Sequence, residues 1–148
     1  MTIETALSQD LDKLCEIEEK CFQNEAFSKK QIAYLLADYN SISLVAKENS
    51  KLLGFIIGTT YFSRNALNGH IVTLDVAPEH RRKGVASRLM QEIEKIFKEK
   101  NVKTCHLEVR EDNVAALNLY TKLGYKKVGL LENYYGSAHG IYLKKPLA

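Results

Sequence analysis

Between His70 and Phe97 a strand hands over to a helix through a basic turn, and no other stretch limits the possible folds as much. His70-Ile71-Val72-Thr73-Leu74-Asp75-Val76 is an apolar run of strand character, stopped by Pro78. Arg81, Arg82, Lys83 and Gly84 follow. Beyond them Val85, Leu89, Ile93, Ile96 and Phe97 recur at helical spacing. This order leaves a turn of free backbone N–H groups at a helix N-terminus, flanked by fixed positive charge. Such a turn suits a polyanion, and a diphosphate above all. The turn does not match G-x-x-x-x-G-K-[ST], which disfavours a nucleoside triphosphatase, and it lacks the dinucleotide pattern G-x-G-x-x-G.

The rest of the chain is read around that unit. Residues 2–5 have the character of a short strand. Ser8 is expected to cap a helix carrying Leu11, Leu14, Ile17 and Cys21, and Ser28 a second one carrying Ile32, Leu35 and Leu36. Residues 42–47 and 52–62 are β-rich, with Asn49-Ser50 as the turn between them. Residues 69–76 form a strand and 82–100 a helix. Residues 104–110 are a strand, and 113–123 a helix that Gly124 ends. Residues 125–131 and 140–144 close the chain as strands. The order is β-α-α-β-β-β-α-β-α-β-β, an α/β arrangement with helices on the faces of a mixed sheet, in one domain over 1–148.

Composition narrows the function classes. With 148 residues, 45% hydrophobic and 26% charged, the chain is long enough for a real core. Its net charge of +3 fits an anionic cofactor and gives no reason to expect nucleic acid. No apolar run approaches the ~18 residues that cross a bilayer. The N-terminus has no basic segment leading into an apolar core, so a cytoplasmic protein without membrane contact is expected. Cys15, Cys21 and Cys105 lack close metal-ligand spacing. They read as reduced, mostly buried thiols rather than a catalytic cysteine, and no metal is expected.

Arg81-Arg82-Lys83-Gly84-Val85-Ala86 fits the R/Q-x-x-G-x-G/A pattern of the GNAT acetyltransferases. Leu107-Glu108-Val109-Arg110, then Asn113, Ala116, Leu119-Tyr120 and Leu123-Gly124-Tyr125, resembles a run in the RimI-type protein N-terminal acetyltransferases. Cys21-Phe22 with Phe27-Ser28 is similar to their substrate loop, and Asn133-Tyr134-Tyr135 to their late-strand tyrosine pair. The resemblance implies the GNAT acyl-CoA N-acyltransferase fold and acetyl-CoA as donor, with CoA as product. It implies a diphosphate on the backbone of Arg82 to Ser87, through Lys83, Gly84, Val85 and Ala86, with charge from Arg81. The pantetheine arm would follow Leu74-Asp75-Val76, Asn113 would touch the cofactor, and Tyr120 would sit near the thioester sulfur. The implied acceptor is the α-amine of protein N-termini, ribosomal or nascent, and an auxiliary subunit is possible. Lysine side chains or small amines are the alternative.

Acetyl transfer to an amine needs a base, an oxyanion donor and an acid for the leaving thiolate. A free α-amine has a pKa of about 8, so weak base assistance suffices. His106, Glu108 and Arg110 share one strand face, opposite Leu107 and Val109. A carboxylate there is either a functional group or half of a Glu108–Arg110 surface pair, and the resemblance favours the base. His70 resembles the histidine that assists the base in some archaeal members. Tyr120 is the expected acid, and the Val76 N–H the simplest oxyanion donor. Phe22, Glu25, Phe27, Tyr134 and Tyr135 are expected to line a peptide groove, Glu25 holding the incoming ammonium, whereas Tyr34 is read as ordinary packing. Ala26-Phe27-Ser28 departs from the Pro-Trp or Pro-Tyr usual before that serine.

Overall fold

The computed structural model describes residues 1–147. In chain order the elements are β1 (Thr2–Thr5), α1 (Leu11–Phe22), α2 (Lys29–Ala37), β2 (Ser41–Glu48), β3 (Lys51–Ser63), β4 (Ala66–Val76), α3 (Val85–Glu99), β5 (Thr104–Arg110), α4 (Val114–Lys122), β6 (Lys126–Leu131) and β7 (Gly140–Pro146). The order expected from the sequence is the order observed. Seven strands form one sheet, β1-β2-β3-β4-β5-β7-β6. Every pairing is antiparallel except β4–β5.

Each face of the sheet is covered by helices. Leu89, Ile93 and Phe97 of α3 pack with Ile56, Ile71, Leu107 and Val109. Leu14 and Ile17 of α1 and Ile32 of α2 pack with Val45, Phe55 and Ile57 on the other face. The Phe97 ring lies so close to β4 that a Cβ on Gly69 would stand 2.7 Å from it.

Two irregularities shape the middle of the sheet. On β4, Ile71 pairs with Gly58 and Thr73 with Ile57, so Val72 is an extra residue opposite none. This bulge bends the strand and inverts its alternation. Ile71, Leu74 and Val76 pack toward α3, whereas Val72 and Thr73 face α1. The parallel β4–β5 pair runs for only three rungs, Asn68↔Thr104, Gly69↔Cys105 and His70↔His106. Past them the strands part, and β5 continues paired with β7 alone.

Several local expectations are corrected. Ser8 does not cap α1: it opens a short 3-10 turn, and the Asp10 carboxylate accepts the Leu7 N–H at 2.8 Å. Ser28 does cap α2, its Oγ accepting from Gln31 N–H while Gln31 Oε1 accepts from Ser28 N–H. β4 begins at Ala66 because Arg64 and Asn65, at φ 53° and 62°, make a two-residue hairpin turn without glycine. α3 begins at Val85, not 82, since Arg82 and Gly84 have φ of 63° and 79°. Tyr134 and Tyr135, although similar to a late-strand tyrosine pair, lie in the β6–β7 loop, between the strands expected at 125–131 and 140–144. Of the thiols only Cys105 is buried; Cys15 and Cys21 are half-buried.

Candidate active site

The turn before α3 offers donors without partners. Arg88 N–H is bonded to Gly84 carbonyl, so the N–H groups of Val85, Ala86 and Ser87 precede the first intrahelical bond, and no side chain caps them. Left-handed residues at Arg82 and Gly84 curl the backbone around that point, as in anion-binding nests. Arg82 and Lys83 are exposed beside it. Arg81 turns elsewhere: its Nε donates to the Val76 carbonyl at 3.2 Å and its guanidinium reaches Cys21 Sγ. It ties the turn to the end of β4.

The parting of β4 and β5 exposes polar groups on the α1–α2 face. Ala77 N–H donates to Leu53, so by antiparallel alternation the Val76 N–H points away from β3, into the gap. At its inner end, His70 Nε2 meets Glu108 Oε1 at 2.8 Å. The His106 ring stacks on His70, centroids 4.7 Å apart, with Nδ1 3.7 Å from Glu108 Oε2 and Nε2 2.6 Å from Tyr61 hydroxyl. Burial works to raise the Glu108 carboxyl, but the His106 and His70 imidazoles outweigh it and hold the group down at about 2. Glu108 is therefore the partner of histidines, not of Arg110.

Tyr120 is buried on α4, and burial above all pushes its phenol up. Asp75 itself is buried and belongs to an acid pair. Thr73 Oγ1 lies 2.9 Å from Glu18 Oε1 and 2.6 Å from Asp75 Oδ1. One hydroxyl hydrogen cannot serve both acceptors, so one carboxyl must bring its own proton. Burial first, then Glu18, raise Asp75 well above the usual carboxylate range. Glu18 Oε2 also accepts the Phe27 N–H at 3.0 Å, which moors the α1–α2 loop to β4. Asn113 spends its side-chain oxygen on Ala116 N–H as the α4 cap.

Residues 11–125 match the family model described as Acetyltransferase (GNAT) family. The chain belongs to the GNAT acetyltransferases. It is 33% identical to an N-alpha-acetyltransferase of Sulfurisphaera tokodaii over 73% of this chain and 70% of that protein. It is 29% identical to an N-alpha-acetyltransferase of Saccharolobus solfataricus over 96% and 90%. Ard1 from Thermoplasma volcanium has the same fold, with a TM-score of 0.88 at 27% identity, covering 99% of this chain and 97% of that one.

In this GNAT chain the residues expected to line a peptide groove make other contacts than the sequence reading gave them. Glu25 is already paired: its Oε2 takes Arg110 Nη1 at 2.6 Å. Arg110 also binds Asp112 and lies over the Tyr135 ring, 5.8 Å from its centroid. The free carboxylate expected to greet an ammonium is thus the anchor of a loop contact. Tyr134 and Tyr135 meet edge to face at 4.9 Å. Phe22, at the end of α1, and Phe27, in the α1–α2 connection, are half-buried. Tyr34 is 70% exposed, so it is not the packing residue expected. Phe27, Tyr34, Leu35 and Val72 line an open groove there. The sequence reading missed His106 and Tyr61 as neighbours of the His70–Glu108 pair. The alternation that put His106 on the Glu108 face was the available signal; nothing in the sequence joined Tyr61 to it.

Proposed function

We propose that this GNAT enzyme transfers the acetyl group of acetyl-CoA to the α-amine of protein N-termini, ribosomal or nascent, in the cytoplasm. The observation that carries the reading is the His70–Glu108 pair, set where β4 and β5 part and facing the same gap as the Val76 N–H. Relatives named N-alpha-acetyltransferases support the acceptor class. The N–H groups of Val85, Ala86 and Ser87, with Arg82 and Lys83, fit a diphosphate. Bound acetyl-CoA supplies an activated acetyl carbon.

The chain's own groups then divide the work. Donating Nε2–H to Glu108 leaves His70 Nδ1 free to take the amine proton. The ionised carboxylate stabilises the imidazolium so formed, as an orienting acid does in a catalytic triad. Val76 N–H faces the developing oxyanion. Tyr120, kept protonated by burial, holds the proton that the departing thiolate needs. Tyr134 and Tyr135 close over an extended backbone.

The test incubates the protein with acetyl-CoA and a panel of N-terminal peptides, a lysine peptide and a polyamine, following free thiol. Turnover on peptide α-amines is expected. Turnover on the polyamine with none on any peptide would reject the peptide acceptor.

A further inference from the structure

His70, His106 and Glu108 make a donor triangle, of which the proposed acetyl transfer leaves His106 without a role. His70 and His106 are direct partners across the parallel rungs, and Glu108 lies two residues along β5 on the same face. One ligand atom from each falls within 4.8 Å of the others. A tetrahedral Zn²⁺ with bonds of about 2.1 Å places its ligand atoms about 3.4 Å apart, so small side-chain rotations suffice. The closest pair here is 2.8 Å.

A second observation points to a ligand. His106 is only 9% exposed, yet its Nδ1 has no hydrogen-bond partner and faces the Glu108 carboxylate. A bare buried nitrogen opposite a carboxylate is unfavourable unless a proton or a cation lies between them. Nε2 of the same ring is held by Tyr61, the outer hydrogen bond that fixes metal-ligating histidines. His70 and Glu108 side chains are 29% and 19% exposed, which leaves a route from solvent and an open fourth position.

We propose that His70, His106 and Glu108 bind a divalent metal ion, Zn²⁺ fitting best, as an inhibitory site that excludes the acceptor amine. Binding stands on the donor triangle alone. Inhibition rests on the proposed role of His70 and Glu108 as the base, so the two are measured separately.

Metal-stripped full-length protein is dialysed to equilibrium against micromolar Zn²⁺, and Co²⁺ binding is followed by visible absorption. One equivalent is expected, with affinity falling at least about tenfold in His106→Asn and in His70→Asn. Binding should persist in Cys15→Ser/Cys21→Ser. Less than a stoichiometric ion on the wild type, or unchanged affinity in both histidine variants, overturns the site. In the acetylation assay Zn²⁺ should raise the apparent KM for peptide and not for acetyl-CoA. Inhibition competitive with acetyl-CoA would overturn the exclusion of the amine. Dialysis reports whether or not any peptide is turned over.

Discussion

At the residue scale, charge and protons are held in two opposite ways within one site. Glu108 is kept ionised by two imidazoles, while Asp75 is kept neutral by burial and by Glu18. Glu108→Gln should lower kcat by about 10²-fold or more, a usual loss for general base assistance, with CoA affinity nearly unchanged. Unchanged kcat would remove Glu108 from the mechanism. The two carboxyls also bend the stability profile in opposite senses. Glu108 falls from an ordinary 4.5 to about 2, so its contribution is present above pH 4.5 and lost as pH drops toward 2. Asp75 is raised from 3.8, so its contribution is full below that value and fades as pH climbs through the raised pKa. Urea unfolding across pH should therefore show Asp75→Asn gaining on the wild type as pH rises. A constant difference would mean that no proton is held there.

At the element scale, the turn and the bulge position the groups of the proposed chemistry. Gly84 sits at φ 79°, and a Cβ there would meet no atom, so the requirement is conformational. Gly84→Ala should cost about 1–2 kcal/mol in that conformation and raise KM for acetyl-CoA more than for peptide. Gly69→Ala is the opposite case, a steric one: its Cβ would press on Phe97, and overpacking of this kind costs about 1–3 kcal/mol, read as a fall in Tm. Much of this scale was legible in the sequence. Period-two alternation marked 104–110, and Pro78, the basic cluster and Gly84 marked the turn. The Val72 bulge was not legible, because an extra valine in a β-branched run looks like one more strand residue. Nor was the Arg64-Asn65 turn, which lacks the glycine that announces most tight hairpins.

At the scale of the whole molecule, the proposed acceptor groove is assembled from distant segments. Arg110 joins Glu25, 85 residues earlier, to Tyr135 in the β6–β7 loop. No spacing rule links such positions, which is why Glu25 read as free. Arg110→Ala should release both loops and raise KM for peptide several-fold. Tm should fall little, since half-exposed ion pairs contribute about 0–1 kcal/mol. An equal rise in KM for acetyl-CoA would show that the pair supports the whole site instead. The sheet carries a further consequence. Among the described residues its first four strands meet its last three along β4–β5 alone, through three rungs. The molecule is two half-sheets sewn by a short seam. A donor lodged beyond the last rung, as the resemblance implies, would serve as the missing stitches, so saturating acetyl-CoA should slow hydrogen exchange across both halves together.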